Sequence, residues 1–167
     1  MNILLKEDEI QAKLKRLAEM IDNRFDEVTI LVVLTGGVYT AIDFSKYLKI
    51  PCKLEFVKVS SYGDSEESSI VELKWISAKK DSHLGNLLII DDICDTGKSL
   101  DYLLKYIMNN YTFESITTMT LLDKPSRREK EVKLDYKGFE IGNLFVYGYG
   151  LDLKGYERNK TDILFKE

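Results

Sequence analysis

The chain is poor in the residues that build stapled or metal-held scaffolds. Its 167 residues include 2 cysteines, 1 histidine, 2 prolines and 1 tryptophan. Cys52 and Cys94 have no paired spacing and no neighbouring histidine, so neither a zinc site nor a structural disulfide is indicated. Cys94 has no adjacent base and reads as a packed thiol rather than a nucleophile. His83 lies in a polar turn and reads as a solvated surface residue. No apolar run approaches the length that spans a bilayer, and residues 1–5 are too short an apolar stretch for a signal peptide. The expected location is therefore cytoplasmic. A surplus of positive charge is also missing: 24 Lys and Arg against 28 Asp and Glu give a net charge of −4. Such a chain lacks the basic face that nucleic acid or an anionic membrane surface requires. At 44% hydrophobic and 31% charged it shows no signature of disorder or repeats, and it fits one domain over residues 1–167.

What is present is concentrated in residues 87–100. Leu87-Leu88-Ile89-Ile90 has no polar alternation, the pattern of a strand buried on both faces. Leu100, Leu103, Leu104, Ile107 and Met108 then recur at helical spacing. Between them stand Asp91, Asp92, Ile93, Cys94 and Asp95, followed by Thr96-Gly97-Lys98-Ser99, so carboxylates and a hydroxyl-rich turn occupy a strand-to-helix junction. The first amides of a helix lack partners and carry the positive end of its dipole; hydroxyls and a glycine placed there cradle a phosphate monoester. Asp91 and Asp92, at the strand end, suit vicinal hydroxyls or a hydrated cation. A nucleotide triphosphate loop also ends in Gly-Lys-Ser, but it needs a glycine where Asp92 stands, and that charge would repel a polyphosphate. An acidic helix cap accounts for Asp95 or Ser99 alone, but not for an acid pair beside a buried strand.

The rest of the chain frames this loop. Ile10, Leu14, Leu17, Ala18 and Ile21 fall on one face of a covering helix. Residues 30–34 form a second buried-strand run that Gly36-Gly37 breaks, and a helix over about 39–48 stops before Pro51. Residues 53–59 alternate as a strand, 71–76 read as a strand returning from a loop, and 116–122 form a further strand ended by Asp123, Lys124 and Pro125. Serine and acid dominate residues 60–69, which read as a mobile loop. Strands alternating with helices give an α/β domain built on a parallel sheet with right-handed crossovers, whose ligands bind beyond the carboxyl ends of the strands. Gly36-Gly37, the acidic loop, Lys124 and Asp152 all follow strands, so they are expected on one rim. A basic cluster over 124–130 interrupts the acidic composition.

The run over 87–100 resembles the phosphoribosyl pyrophosphate (PRPP) signature of the type I phosphoribosyltransferases. Leu34-Thr35-Gly36-Gly37, Ser61-Tyr62, Leu121-Leu122-Asp123-Lys124, and Phe145-Val146-Tyr147-Gly148-Tyr149-Gly150-Leu151-Asp152 through Arg158 are similar, in order and spacing, to the hypoxanthine-guanine branch of that family. The resemblance runs over about residues 30–158. It implies a type I fold with a mainly parallel central sheet flanked by helices, a small hood and a flexible lid loop. It also implies purine salvage: magnesium-dependent transfer of the phosphoribosyl group from PRPP to N9 of hypoxanthine or guanine, with pyrophosphate released. The implied assembly is a homodimer or homotetramer.

The resemblance also assigns roles. Asp95, Thr96, Gly97, Lys98 and Ser99 would hold the 5-phosphate, and Asp91 and Asp92 would face the ribose hydroxyls and help a magnesium ion to chelate them. Asp95 would be the general base at N7. The amides of Thr35 and Gly36, Arg158, and magnesium held with help from Asp152 would receive pyrophosphate. Relatives often have a cis peptide at the position of Leu34-Thr35, and where many carry Lys or Arg this chain has Thr35. Lys124 would read the base, because an ammonium group only donates and so pairs with the oxygen at position 6 but opposes the amino group of adenine. Phe145 would stack on the purine, Ile93 would pack on its other face, and the backbone of Val146 and Asp152 would meet its edge. Ser61 and Tyr62 would close as a lid. A xanthine-preferring transferase, and a regulatory nucleotide-sensing protein on the same fold, remain alternatives. The acidic composition and the presence of Asp95, Lys124, Asp152 and Arg158 favour an enzyme.

Overall fold

Strands made almost wholly of Val, Ile and Leu have no face that can be left to water, so both sides of their sheet must be covered. A computed structural model, which describes residues 2–62 and 70–167, shows how this is done. The elements in chain order are β1 (Asn2–Leu5), α1 (Glu7–Asp22), β2 (Val28–Leu34), α2 (Gly37–Tyr47), β3 (Cys52–Tyr62), β4 (Ile70–Ile76), β5 (Asn86–Cys94), α3 (Lys98–Asn110), β6 (Ser115–Asp123), β7 (Tyr136–Glu140), β8 (Phe145–Tyr147) and β9 (Ile163–Lys166). The main sheet has the order β4-β3-β2-β5-β6-β7, parallel throughout except where β4 returns antiparallel beside β3. A smaller antiparallel sheet, β1-β9-β8, forms a hood at one side.

The apolar side chains divide accordingly. Ile30, Val32, Leu88 and Ile90 face α1 and α2, where Ile10, Leu14, Ile21 and Phe44 are fully buried. Leu31, Val33, Leu87 and Ile89 face the opposite way, onto Leu100, Leu103 and Ile107 of α3. Alternate residues of one strand thus enter two separate cores, as a period of two requires. The strand order reverses between β2 and β5. In an open α/β sheet that reversal leaves a crevice beyond the carboxyl ends of the two strands.

Several boundaries differ from the sequence reading. β5 continues through Asp91 and Asp92 to Cys94, so the acid pair lies within the strand and not at its end. The helix expected from about residue 39 already begins at Gly37 and ends at Tyr47. β3 carries on through Ser60 and Ser61 to Tyr62, because pairing with β4 supplies partners that local composition does not reveal. The remainder of the expected lid, residues 63–69, lies outside the described residues. β7 and the hood strands are short and have half-exposed residues, which leaves them without a clear period. None of the described helices is long and apolar enough to cross a membrane.

A polar strut ties the hood to the helices beneath it. Tyr149, buried and left-handed at φ 50°, donates its hydroxyl to Asp43 of α2 at 2.6 Å. Gln11 of α1 donates to the same carboxylate at 2.9 Å and accepts from the Tyr47 hydroxyl at 2.8 Å. Burial and the neighbouring carboxylate push the Tyr149 phenol well above its ordinary range, so it stays a neutral donor. Tyr149→Phe removes one hydrogen bond to a charged acceptor and is expected to cost about 2 kcal/mol, a fall of roughly 4–8 °C in Tm for a chain of this size. Thermal unfolding followed by circular dichroism checks this, and an unchanged Tm would show that the strut carries no load.

Candidate active site

The loop between β5 and α3 is built to present backbone. Gly97 caps α3 with φ at 83°, a left-handed conformation that costs glycine little. A methyl group there would run into the carbonyl oxygen of Lys130. That neighbouring segment braces the loop, since the amides of Glu129 and Lys130 donate to the Thr96 carbonyl at 2.9 and 3.0 Å. Lys98, expected with its neighbours to hold phosphate by amides and hydroxyls, directs its ammonium to Glu129 at 2.8 Å, which leaves its amide at the start of α3. Thr96, Gly97 and Ser99 line a cavity of about 290 Å³ together with Asp91, Asp92, Asp95 and Gly36.

Across this cavity stands the turn after β2. The Leu34-Thr35 peptide is cis. Gly36 lies so close to the Asp92 carboxylate that any side chain at this position would overlap it. Gly150, with φ at 94°, brings the hood loop onto the Gly36 carbonyl in the same way, leaving no room for a methyl group. Arg158 secures that loop, donating to the Gly150 carbonyl at 2.6 Å and to the Asp152 carboxylate at 3.2 Å. Asp152 also accepts from the Gly155 amide at 2.8 Å. Arg158 is near enough for its charge to act on Asp92, so the β2 turn, the acid pair and the hood meet at one point.

A second cavity, of about 480 Å³, opens on the hood side and is lined by Lys124, Arg127, Phe145, Val146, Leu151 and Asp152. Ile93 and Asp95 line both cavities. Phe145 is 53% exposed and Val146 is buried in β8, whereas Lys124 is only 6% exposed, unlike the surface lysine that a basic cluster suggests. The Lys124 ammonium stands 3.8 Å from Asp95 Oδ2 and the Arg127 Nε 3.1 Å from Asp95 Oδ1. Behind them Asp123, nearly fully buried, pairs with Arg128 and with Lys137, the latter at 2.9 Å. Arg128 also donates to the Asp95 carbonyl at 3.1 Å. The basic cluster is therefore internal wiring of the β5 and β6 loops.

The chain is similar to known proteins over nearly its whole length. A model of the phosphoribosyl transferase domain family matches residues 2–154. The hypoxanthine-guanine phosphoribosyltransferase of Bacillus subtilis (strain 168) is 39% identical over 160 residues, covering 94% of this chain and 88% of that protein. The chain belongs to the phosphoribosyl transferase family. Among solved structures, a hypoxanthine-guanine phosphoribosyltransferase from Bacillus anthracis superposes with a TM-score of 0.91 at 31% identity, covering 100% of this chain and 99% of the other. The hypoxanthine phosphoribosyltransferase of Trypanosoma cruzi, in complex with the product IMP, gives 0.86 at 30% identity, covering 100% and 94%. These likenesses identify this phosphoribosyltransferase as an enzyme of the hypoxanthine-guanine branch.

Gly36, Ile93, Lys124, Phe145, Val146, Asp152 and, apart from Lys98, the loop over 91–99 line the two cavities. Thr35 stands beside Gly36 in the turn after β2, and Arg158 reaches the hood loop at Gly150 and Asp152, but neither lines a cavity. Ser61 is exposed at the end of β3, away from the cavity linings, and the Tyr62 side chain lies outside the described residues. His83 is exposed as expected, with Nδ1 2.9 Å from the Thr112 hydroxyl. Sequence reading did not single out Arg127, Arg128 or Tyr149. Arg127 and Arg128 are two of several cations in one cluster, and Tyr149 is one of several aromatics in the hood segment, so spacing alone does not select them.

Burial raises the pKa of Asp91 well above the ordinary carboxylate range, with the adjacent Asp92 adding to the rise, and burial raises Asp92 too. A carboxyl raised in the folded state contributes stability that is complete below its ordinary value of 3.8 and is lost as pH climbs through the folded value. Asp91→Asn is therefore expected to raise the Tm of the ligand-free chain by about 2–4 °C near pH 8, for a gain of about 1 kcal/mol, with the difference closing as pH falls. Melting curves across pH decide this, and a lower Tm at every pH would refute it. Gly36→Ala, which must displace the Asp92 carboxylate, is expected to reduce kcat/KM by roughly 10²-fold.

Proposed function

We propose that the chain carries out purine salvage by transferring the 5-phosphoribosyl group of PRPP to N9 of hypoxanthine, and of guanine, giving IMP or GMP and pyrophosphate. The observation that carries this reading is the shared wall: Asp95 and Ile93 line both the cavity beside the α3 loop and the cavity beside Lys124 and Phe145. A sugar phosphate in the first and a base in the second would meet at Asp95.

In this reading the amides and hydroxyls of Thr96, Gly97 and Ser99 hold the 5-phosphate at the start of α3. Asp91 and Asp92 receive the ribose hydroxyls. Phe145 offers an open ring face to the purine and Ile93 closes the other side, while the backbone of Val146 and Asp152 meets its edge. Lys124 donates to the oxygen at position 6. As the bond from N9 to the sugar carbon forms and the bond to pyrophosphate breaks, the proton on N7 passes to the Asp95 carboxylate. Positive charge developing on the sugar is stabilised by the carboxylates of the loop, and the negative charge of pyrophosphate by Arg158 and the amides of Thr35 and Gly36. Lys98 is held by Glu129, so its contribution at the phosphate is through its amide.

The residues fit a magnesium ion of the kind that keeps waters and binds through one or two carboxylates and substrate oxygens. Among the described residues no three carboxylate or imidazole groups form a cage by themselves. Asp91 and Asp92, packed together with raised pKa values, are one such pair, and Asp152 supplies a carboxylate at the pyrophosphate end. Magnesium bound there would neutralise charge on the substrate's oxygens.

Nucleotide formation from PRPP and magnesium, with hypoxanthine, guanine, xanthine and adenine supplied separately, tests the proposal. Product from hypoxanthine and guanine and none from adenine is expected; product mainly from xanthine would move the specificity, and none from any base would refute transfer. Asp95→Asn is expected to lower kcat by about 10²–10⁴-fold with PRPP binding retained, the range of a positioned general base. Lys124→Ala is expected to raise the KM for hypoxanthine at least about tenfold and to weaken the exclusion of adenine. An unchanged kinetic profile for either variant removes that residue from its role.

A further inference from the structure

We infer that Lys58 and Thr35 form a cation–hydroxyl pair that binds the pyrophosphate group of PRPP. This inference rests on the transfer reaction above and adds a residue to its leaving-group site. Lys58 lies on β3, in register with Leu34 at the end of β2. Its ammonium donates to Thr35 Oγ1 at 3.1 Å. The register of β3 against β4 shifts between Lys58 and Val59, an irregularity of the kind that re-aims a side chain. The charge is thereby delivered to the turn that precedes Gly36 and α2.

The partner of this ammonium sets it apart from the other lysines around the site. Lys98 pairs with Glu129, Lys124 with Asp95 and Lys137 with Asp123. Among the described residues Lys58 has only the neutral Thr35 oxygen. By accepting from an ammonium, the Thr35 hydroxyl uses its oxygen lone pair and is left to donate its own proton. Charge-assisted donation of this kind suits a phosphate oxygen better than a neutral one. Together with the first amides of α2 and Arg158, the pair would surround a polyanion on the side of the cavity opposite the α3 loop. Negative charge on the leaving oxygen grows as its bond to the sugar breaks, so a donor aimed there acts more strongly in the transition state than on bound PRPP.

Steady-state kinetics in both directions test the pair, using PRPP with hypoxanthine and pyrophosphate with IMP. Lys58→Met, which keeps an unbranched side chain but removes its charge, is expected to raise the KM for PRPP and for pyrophosphate about tenfold and to lower kcat, leaving the KM for hypoxanthine within about twofold. Lys58→Arg is expected to recover most of the loss, and Thr35→Val to raise the same two constants by a smaller factor. Thermal unfolding of each variant accompanies the kinetics. A wild-type chain that makes nucleotide while Lys58→Met matches it in both constants overturns the pair alone. Failure of Lys58→Arg to restore either constant, with Tm unchanged, does the same. A wild-type chain that makes no nucleotide overturns the transfer reading and this inference with it.

Discussion

Two adjacent carboxylates placed in the wall of a cavity are unfavourable from both sides, through lost hydration and through mutual repulsion. Asp91 and Asp92 are held in that state by the strand that carries them, and the surrounding structure is shaped to accommodate them. Asp92 occupies space that only a glycine at position 36 leaves open. Gly150 in turn packs on the Gly36 carbonyl, so the hood reaches the acid pair because two successive positions lack a Cβ. The arrangement stores no useful binding unless something positive or hydroxylated enters, and that is the chemistry a ribose and a hydrated cation supply.

The loops that frame the acid pair owe their stiffness to charges that composition alone would assign to the surface. Asp123 is buried at the end of β6 and draws in Arg128 and Lys137, while Arg128 spans to the Asp95 and Cys94 carbonyls. Breaking such a buried pair leaves an uncompensated charge, which is why these residues position the loop more firmly than exposed ion pairs would. On the hood side the Tyr149–Asp43–Gln11 strut performs the same service with a neutral donor. The catalytic face is thus fixed from two directions, one ionic and one hydrogen-bonded.

How much of this was legible in the sequence depends on how far apart the partners lie along the chain. The buried strand at Leu87, the helix from Leu100 and the carboxylates between them could be read locally, because periodicity and charge change within a few residues. The extension of β3 to Tyr62 could not, since its ladder partners are on β4 beyond a serine-rich stretch. The burial of Lys124 and the pairing of Arg127 with Asp95 were equally hidden, for they depend on β5 and β6 lying side by side. Resemblance to a family singled out Lys124 where physical reasoning alone would have left it on the surface, whereas Lys58 and Arg127 emerged only from distances.

If, as proposed, this acidic chain takes a polyphosphate substrate, it must localise its cations, because its mean field would repel such a ligand. Here most cations near the crevice are held by an acid, Lys124 and Arg127 beside Asp95, Arg158 beside Asp152 and Lys98 on Glu129 behind the β5–α3 loop, while Lys58 rests on the Thr35 hydroxyl. Pairing reduces the net pull on any anion but fixes where each donor points, and direction is what discriminates a transition state from a ground state. The acidic balance then works in favour of the site. In the proposed transfer, carboxylates close to the sugar would stabilise the positive charge that develops there, while Arg158 and Lys58 would meet the negative charge of the departing pyrophosphate.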